Sequence, residues 1–173
     1  MSASGQPHAQ RKMRTNERRN QLLLKEKNEH RRKETMNVFN ISANMILCHL
    51  VGDYLLQSDW MATKKAAKGG EGAISCLAHA LVYTLPFLLL TSHPKALCWI
   101  FVTHYIIDRY RLARYVVFAK NFLAPRSGWP PPWAQCTGNG YPPDRPLWLT
   151  TWLFIIADNT LHLIMNGSAL SWF

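Results

Sequence analysis

The sequence has few cysteines, few acids and no glycine-rich nucleotide loop. Its four cysteines, Cys48, Cys76, Cys98 and Cys136, are too few and too scattered for a disulfide scaffold. Three of them lie in apolar runs, where cysteine behaves as a small hydrophobe. No CxxC occurs, which excludes a thiolate zinc ribbon and a thioredoxin-type centre. GxxxxGK(S/T), GxGxxG and GxSxG are missing as well. P-loop, Rossmann and serine-hydrolase chemistry therefore have no motif to rest on. The basic start is not followed by an apolar core, so no secretory signal peptide is expected there.

Acidic residues number ten against twenty Lys and Arg, a formal net charge of +10. The charge is not spread evenly. Residues 1–35 carry ten Lys/Arg and four Glu, and their one apolar run is Leu22 to Leu24. The rest of the chain holds nearly all of the 48% hydrophobic content. A soluble domain of this size does not segregate its composition in this way. The tail reads as solvated and partly helical. It suits anionic lipid, and no specific nucleic-acid partner is expected. Met36 opens an apolar run directly, so 1–35 is expected to be dispensable.

Four apolar runs follow, at about 37–57, 73–92, 95–118 and 147–165. Each approaches the ~20 residues that a helix needs to cross ~30 Å of hydrocarbon. Four such runs leave almost no polar chain to cover a soluble core. The expected fold is all-α, a bundle of four transmembrane helices over 36–173 behind a basic tail. Loop 1, SDWMATKKAAKGGEG, is short and polar. Loop 2 is little more than Ser92 to Lys95, so the second and third helices form a tight hairpin. Loop 3, Asn121 to Pro146, has seven Pro and three Gly, which excludes a long helix or a central strand. Trp60, Trp129, Trp133 and Trp148 fall at the loop 1 and loop 3 end, and Trp99 and Trp172 at the other, as in an aromatic belt. Counted from Met36, the positive-inside rule puts loops 1 and 3 in the cytoplasm.

The runs carry ionisable groups that a membrane helix normally rejects. His49 and Asp53, His104 and Asp108, and Asp158 and His162 each stand four apart, on one face of a helix. Seven His and five Asp should give about 0.4 such pairs by chance, and three are present. Ionisable groups at such positions face the bundle interior. The second run adds Ser75, His79 and Tyr83 on one stripe. The first extends its stripe to Gln57, and the fourth to Asn166. Counted from the loop 1 and loop 3 end, the four helices bring these groups to one shallow layer, with His162 deeper.

Three Asp and four His in lipid point to a divalent metal, which offsets the carboxylate charge and takes neutral imidazole as ligand. A His/Asp set without Cys fits Zn, Mn or Fe. Seven candidates suit two metals, or one metal with a general base and outer carboxylates that orient His. Interhelical hydrogen bonds or a proton pathway are the alternatives. The expected ligands are His49, Asp53, His104, Asp108, Asp158 and His162. His79 is expected as ligand or general base, and Gln57 as the group that orients substrate or water. Lys64, Lys65, Lys68, Arg109, Arg111 and Arg114 gather at the same end and suit a phosphate-bearing substrate.

HLVGDYLLQSDWMATKK, LAHALVYTLPF, THYIIDRYRLARY and RPLWLTTWLFIIADNTLHL, in that order, resemble the bacterial and phage membrane proteins catalogued as domain of unknown function 3307. The resemblance covers about residues 36–166. Its recurring His, Asp and Gln correspond to His49, Asp53, Gln57, His79, His104, Asp108, Asp158 and His162. More loosely, the chain is similar to inner-membrane proteins described as metal-dependent hydrolases. The resemblance implies a multi-pass protein of the bacterial inner membrane and a metal-dependent hydrolase activity, and the basic groups suggest an interfacial, phosphate-bearing lipid as its substrate. A holin-like or envelope-modifying phage effector is a competing expectation, although pore formation does not need the His/Asp ladder. An ion or proton transporter is another, although no inverted repeat is visible.

Overall fold

The computed structural model describes residues 18–19, 21–29, 31 and 42–173. The chain divides into two units, Met1–Ser42 and Ala43–Phe173. In the first, residues 21–29 are helical and Leu22, Leu23 and Leu24 are exposed. The remainder of the basic tail and the start of the first apolar run, 37–41, lie outside the described residues.

The second unit is all-helical among the described residues. Helix α1 covers 42–50 as an α-helix and continues as a π turn, Val51–Leu55. The short α2, Asp59–Lys64, follows, capped by the Ser58 side chain. Helix α3, Gly70–Thr84, tightens into a 3-10 turn at Leu85–Leu89, where Pro86 enters. Helix α4 is Pro94–Tyr110, α5 is Ala113–Lys120 and α6 is Leu147–Trp172. Loop 3 contains only single 3-10 turns, at Asn121–Leu123, Arg126–Gly128 and Trp133–Gln135, in keeping with its prolines.

Side-chain pairings set the helix directions. Along α4, Trp99 meets Ser168 and His104 meets His162, so α4 and α6 run antiparallel. Asp53 meets His79 and Cys48 meets the Pro86 carbonyl, so α1 and α3 run antiparallel. With the α3–α4 hairpin, α1, α3, α4 and α6 form an up-down-up-down bundle. One end is an apolar plug of Cys48, Phe87, Ala96, Ile100 and Ala169, over which Trp99 and Trp172 pack edge to face. The opposite end holds the polar layer.

On α3 and α6 polar side chains lie inward and large apolar ones outward. The buried stripe of α3 runs Ser75, Cys76, His79, Ala80, Tyr83, while its exposed stripe is Ile74, Leu77, Leu81, Leu85, Leu88. On α6 the buried positions are Thr150, His162, Asn166 and Ala169, and Trp152, Ile156 and Ile164 point outward. Gly70–Leu89 and Leu147–Trp172 are long and apolar enough to cross a membrane.

The structure departs from the expected spans in two places. Among the described residues, two helices, not four, reach spanning length and apolarity. The third run is also not one helix. Arg111 adopts the left-handed conformation (φ 51°, ψ 52°), and its N–H bonds back to the Asp108 and Ile107 carbonyls. The Leu112 N–H bonds to the Ile107 carbonyl at 3.0 Å, completing a Schellman-type stop. Apolar periodicity continues through this point, so the break is carried by backbone geometry and not by a Gly or Pro.

Candidate metal centre

Helix α1 reaches the polar layer through its π turn. The Leu56 N–H bonds to the Val51 carbonyl at 3.0 Å, one residue farther back than in an α-helix. Gly52 lies within that turn, and a Cβ there would stand 2.6 Å from Tyr83 Cδ2. Glycine thus lets α1 close on α3 and carries Asp53 inward, where it is buried.

All three helical His–Asp pairs face one another. His49 Nδ1 lies 3.4 Å from Asp53 Oδ2, His104 Nε2 is 3.2 Å from Asp108 Oδ2, and His162 Nε2 is 3.6 Å from Asp158 Oδ2. The bundle then brings the helices together. His79 Nε2 is 2.9 Å from His104 Nε2 and 3.2 Å from both Asp53 Oδ1 and Asp108 Oδ2. His104 Nε2 is 3.6 Å from Asp53 Oδ1. Asp53, His79, His104 and Asp108 are all buried and offer four ligand atoms to one point. A tetrahedron whose corners lie about 2.0–2.1 Å from its centre has edges of about 3.3–3.4 Å. Five of the six edges, 2.9 to 3.6 Å, bracket that value, and the sixth, between the two carboxylates, is within 4.8 Å. The residues therefore fit a four-coordinate divalent ion in donor type, burial and spacing.

Asp108 has a second oxygen, Oδ1, 3.4 Å from His162 Nε2. Asp108, Asp158 and His162 make a second, adjoining group of candidate ligand atoms. His162 comes in with the other rings rather than deeper, since His104 Nδ1 and His162 Nδ1 are 3.1 Å apart. Asp158 is the most open of the cluster, with 23% of its side chain exposed. It lines a cavity of about 320 Å³ together with Thr63, Lys65, Asp108, Arg111 and Phe154.

His49 stands beside these two groups. Its Nδ1 is 2.9 Å from the Tyr83 hydroxyl and its Nε2 is 2.9 Å from Asn159 Oδ1. Asn166 donates to the same hydroxyl at 2.7 Å, and the Tyr83 ring stacks on His104 with centroids 3.5 Å apart. Asn159 also pairs with Tyr54 at the surface. Asn159 and Tyr54 escape a search for His–Asp pairs. The available signal is only an amide in an apolar run, three residues before His162.

The expected basic groups divide. Lys65 enters the cluster, with Nζ 2.7 Å from Asp108 Oδ2 and 3.4 Å from His79 Nε2. Burial works against its charge, but the carboxylates of Asp108, Asp53 and Asp158 together outweigh burial and hold the Lys65 pKa above its ordinary value. Gln57, with its amide oriented for hydrogen bonding, accepts from Lys65 Nζ at 2.9 Å and donates to the Asp53 carbonyl at 3.0 Å. It positions Lys65 and the π turn. Arg111 lies at the cavity, with its guanidinium 5.5 Å from the Phe154 ring centroid. Lys64 pairs with Glu71 in solvent, away from the cavity. Arg109 donates to the Ala67 and Gly69 carbonyls and closes the α2–α3 connection. Arg114 lies against Tyr115 and Trp133.

No curated protein and no solved structure matches the chain. Residues 41–166 match a described family, and that segment contains every ligand candidate from His49 to His162. On that match the chain belongs to the family described as Protein of unknown function (DUF3307).

Proposed function

We propose that this chain is an integral-membrane, metal-dependent hydrolase that acts at the membrane interface on a phosphate-bearing lipid. The observation that carries the reading is the buried group of four ligand atoms, Asp53 Oδ1, His79 Nε2, His104 Nε2 and Asp108 Oδ2. Lys65 offsets only one of the two buried carboxylates, and a divalent ion would offset both. A bound Zn, Mn or Fe would supply an activated water and a Lewis acid for phosphoryl or acyl transfer.

The chain's own groups fit the rest of the task. Asp108 reaches both the four-ligand group and the cavity, so it is the ligand that can yield a position to water or substrate. Lys65 competes for the same oxygen and remains at hand as a cation for the substrate anion. Arg111 adds a second cation on the cavity wall. A non-glycine residue in the left-handed conformation costs about 1 kcal/mol, which is consistent with selection of the side chain for its charge.

The inverted burial pattern supports the membrane part of the reading. Leu77, Leu81, Leu85 and Leu88 on α3, and Trp152, Ile156 and Ile164 on α6, would face lipid while the titratable groups face inward. In this arrangement α1 and α4 complete a four-span bundle in the bacterial inner membrane. The deciding experiment uses protein purified in detergent without chelators. Elemental analysis should find stoichiometric Zn, Mn or Fe, and a long-chain p-nitrophenyl phosphate in mixed micelles should be cleaved faster than its short-chain analogue. Protein that carries no such metal and gains none on titration ends the proposal.

A further inference from the structure

The two adjoining ligand groups could hold two ions with Asp108 between them, and the hydrogen bond between His104 and His162 decides against it. A neutral imidazole carries one proton on one of its two nitrogens. A ring that ligates through Nε2 must carry its proton on Nδ1. If His104 and His162 both ligated through Nε2, both Nδ1 atoms would be protonated and would face each other across 3.1 Å. That is a donor against a donor with no acceptor between them. Only one of the two rings can be a neutral Nε2 ligand in this packing.

The surroundings select His104. Its Nε2 lies 2.9 to 3.6 Å from three other ligand atoms. His162 Nε2 faces two carboxylate oxygens at 3.4 and 3.6 Å, and it is buried without a hydrogen-bond partner. A proton on that nitrogen would point at acceptors on both sides. Resting on the metal-centre reading above, we infer that the cluster holds one metal ion, with His104 as ligand and His162 as the positioning residue behind it. The His104 Nδ1–H donates to His162 Nδ1, which leaves the His162 proton on Nε2, the nitrogen that lies 3.4 Å from Asp108 Oδ1 and 3.6 Å from Asp158 Oδ2. The ligand ring is thus backed by a second ring, and that ring's outer nitrogen sits beside a carboxylate on the cavity wall. The second ring fixes the ring plane of His104 and restrains the free oxygen of Asp108, the ligand exposed to the cavity. Helical spacing alone makes Asp158 and His162 look like ligands. The proton count makes them the outer partners of one.

The test combines a metal count with imidazole nitrogen NMR on detergent-solubilised full-length protein loaded with Zn. One Zn per chain is expected. His104 should show a metal-bound Nε2 and a protonated Nδ1, and His162 the reverse tautomer, with a bare Nδ1 and a protonated Nε2. His162→Gln and Asp158→Asn should each keep one Zn and weaken its binding about 10- to 100-fold. His104→Ala should abolish binding. His162→Gln retains a donor for Asp108 and should bind Zn more tightly than His162→Leu, a difference that loss of packing alone would not produce. Two Zn per chain, or a metal-shifted Nε2 on His162, overturns the inference and leaves the hydrolase reading standing. No Zn on the wild-type chain overturns both. If His162→Gln fails to fold, the NMR tautomers of the wild-type chain decide alone.

Discussion

Lys65 Nζ lies 2.7 Å from Asp108 Oδ2, the same oxygen that faces His79 Nε2 and His104 Nε2 at 3.2 Å each. A side-chain ammonium and a metal ion bound as proposed would therefore compete for one carboxylate oxygen. Without metal, Lys65 offsets the charge of Asp108. A metal on that oxygen would displace Lys65 toward the cavity that it lines. Lys65→Met should lower the stability of the metal-free protein by on the order of 3 kcal/mol, because it strands a buried carboxylate. The same change should tighten metal binding tenfold or more. Metal titration of the two proteins reads this directly, and equal affinities would show that Lys65 and the metal do not compete.

The pair also sets a pH dependence. The Lys65 pKa is raised above its ordinary 10.5, by Asp108, Asp53 and Asp158 against the opposing effect of burial. A raised pKa contributes stability that is complete below the unfolded value and is lost as pH rises through the folded one. Stability of the metal-free protein should therefore lose the Lys65 contribution only in the alkaline range above about 10.5. Unfolding of the wild type and Lys65→Met should converge there. Convergence at neutral pH instead would remove the pair from the account.

Gly52→Ala should harm the site without touching a ligand. The new methyl would meet Tyr83 Cδ2 at 2.6 Å and the Tyr83 backbone at 3.1 Å. Overpacking of this kind costs about 1–3 kcal/mol. Since Tyr83 stacks on His104, metal affinity should fall along with the thermal midpoint. A variant with unchanged midpoint and metal content would mean that α1 and α3 can part at no cost.

His49 separates ligation from positioning. Both its nitrogens are engaged by Tyr83 and Asn159. His49→Gln should therefore weaken metal binding by about 10- to 100-fold and not abolish it. Asp53→Asn should empty the site, since it removes a charged ligand of similar size. Equal, complete loss in both would place His49 among the ligands.

The membrane assignment makes a fractionation prediction. The protein should stay in the pellet through high-salt and alkaline carbonate washes. With loops 1 and 3 in the cytoplasm, cysteines introduced at Lys68 and Ser127 should resist labelling from outside intact cells. Release by carbonate would mark a peripheral protein, and efficient labelling would reverse the orientation.

Arg111→Gly should leave stability unchanged or raise it by up to about 1 kcal/mol, since glycine takes the left-handed conformation without strain. It should raise KM for an anionic lipid substrate with little change in kcat. An unchanged KM would reduce Arg111 to a helix stop.

Much of this was written into the residue order. Apolar runs of helical length define an all-helical chain, and a spacing of four places each His and its Asp on one face whatever the neighbours do. The pairs at His49, His104 and His162 all form for that reason. The proline-rich stretch 121–146 excludes long regular structure from its ring geometry alone. Local rules of this kind depend only on bonds and on the 3.6-residue turn.

The roles within the cluster depend on packing between helices. Equal spacing gave His49, His104 and His162 equal standing as ligands. The bundle places His104 against His79 and Asp53, turns His49 toward Tyr83 and Asn159, and sets His162 ring to ring with His104. Among the six basic candidates, the end of α2 directs Lys65 inward while its neighbour Lys64 meets Glu71 in solvent. The stop at Arg111 has no Gly or Pro to mark it, and Gly52 in the π turn Val51–Leu55 shows its purpose only through the Tyr83 side chain packed against it. Sequence determined which groups would face inward, since helical periodicity is a local property. Tertiary structure decided which atoms meet, since distances of about 3 Å between separate helices follow from how closely their backbones approach.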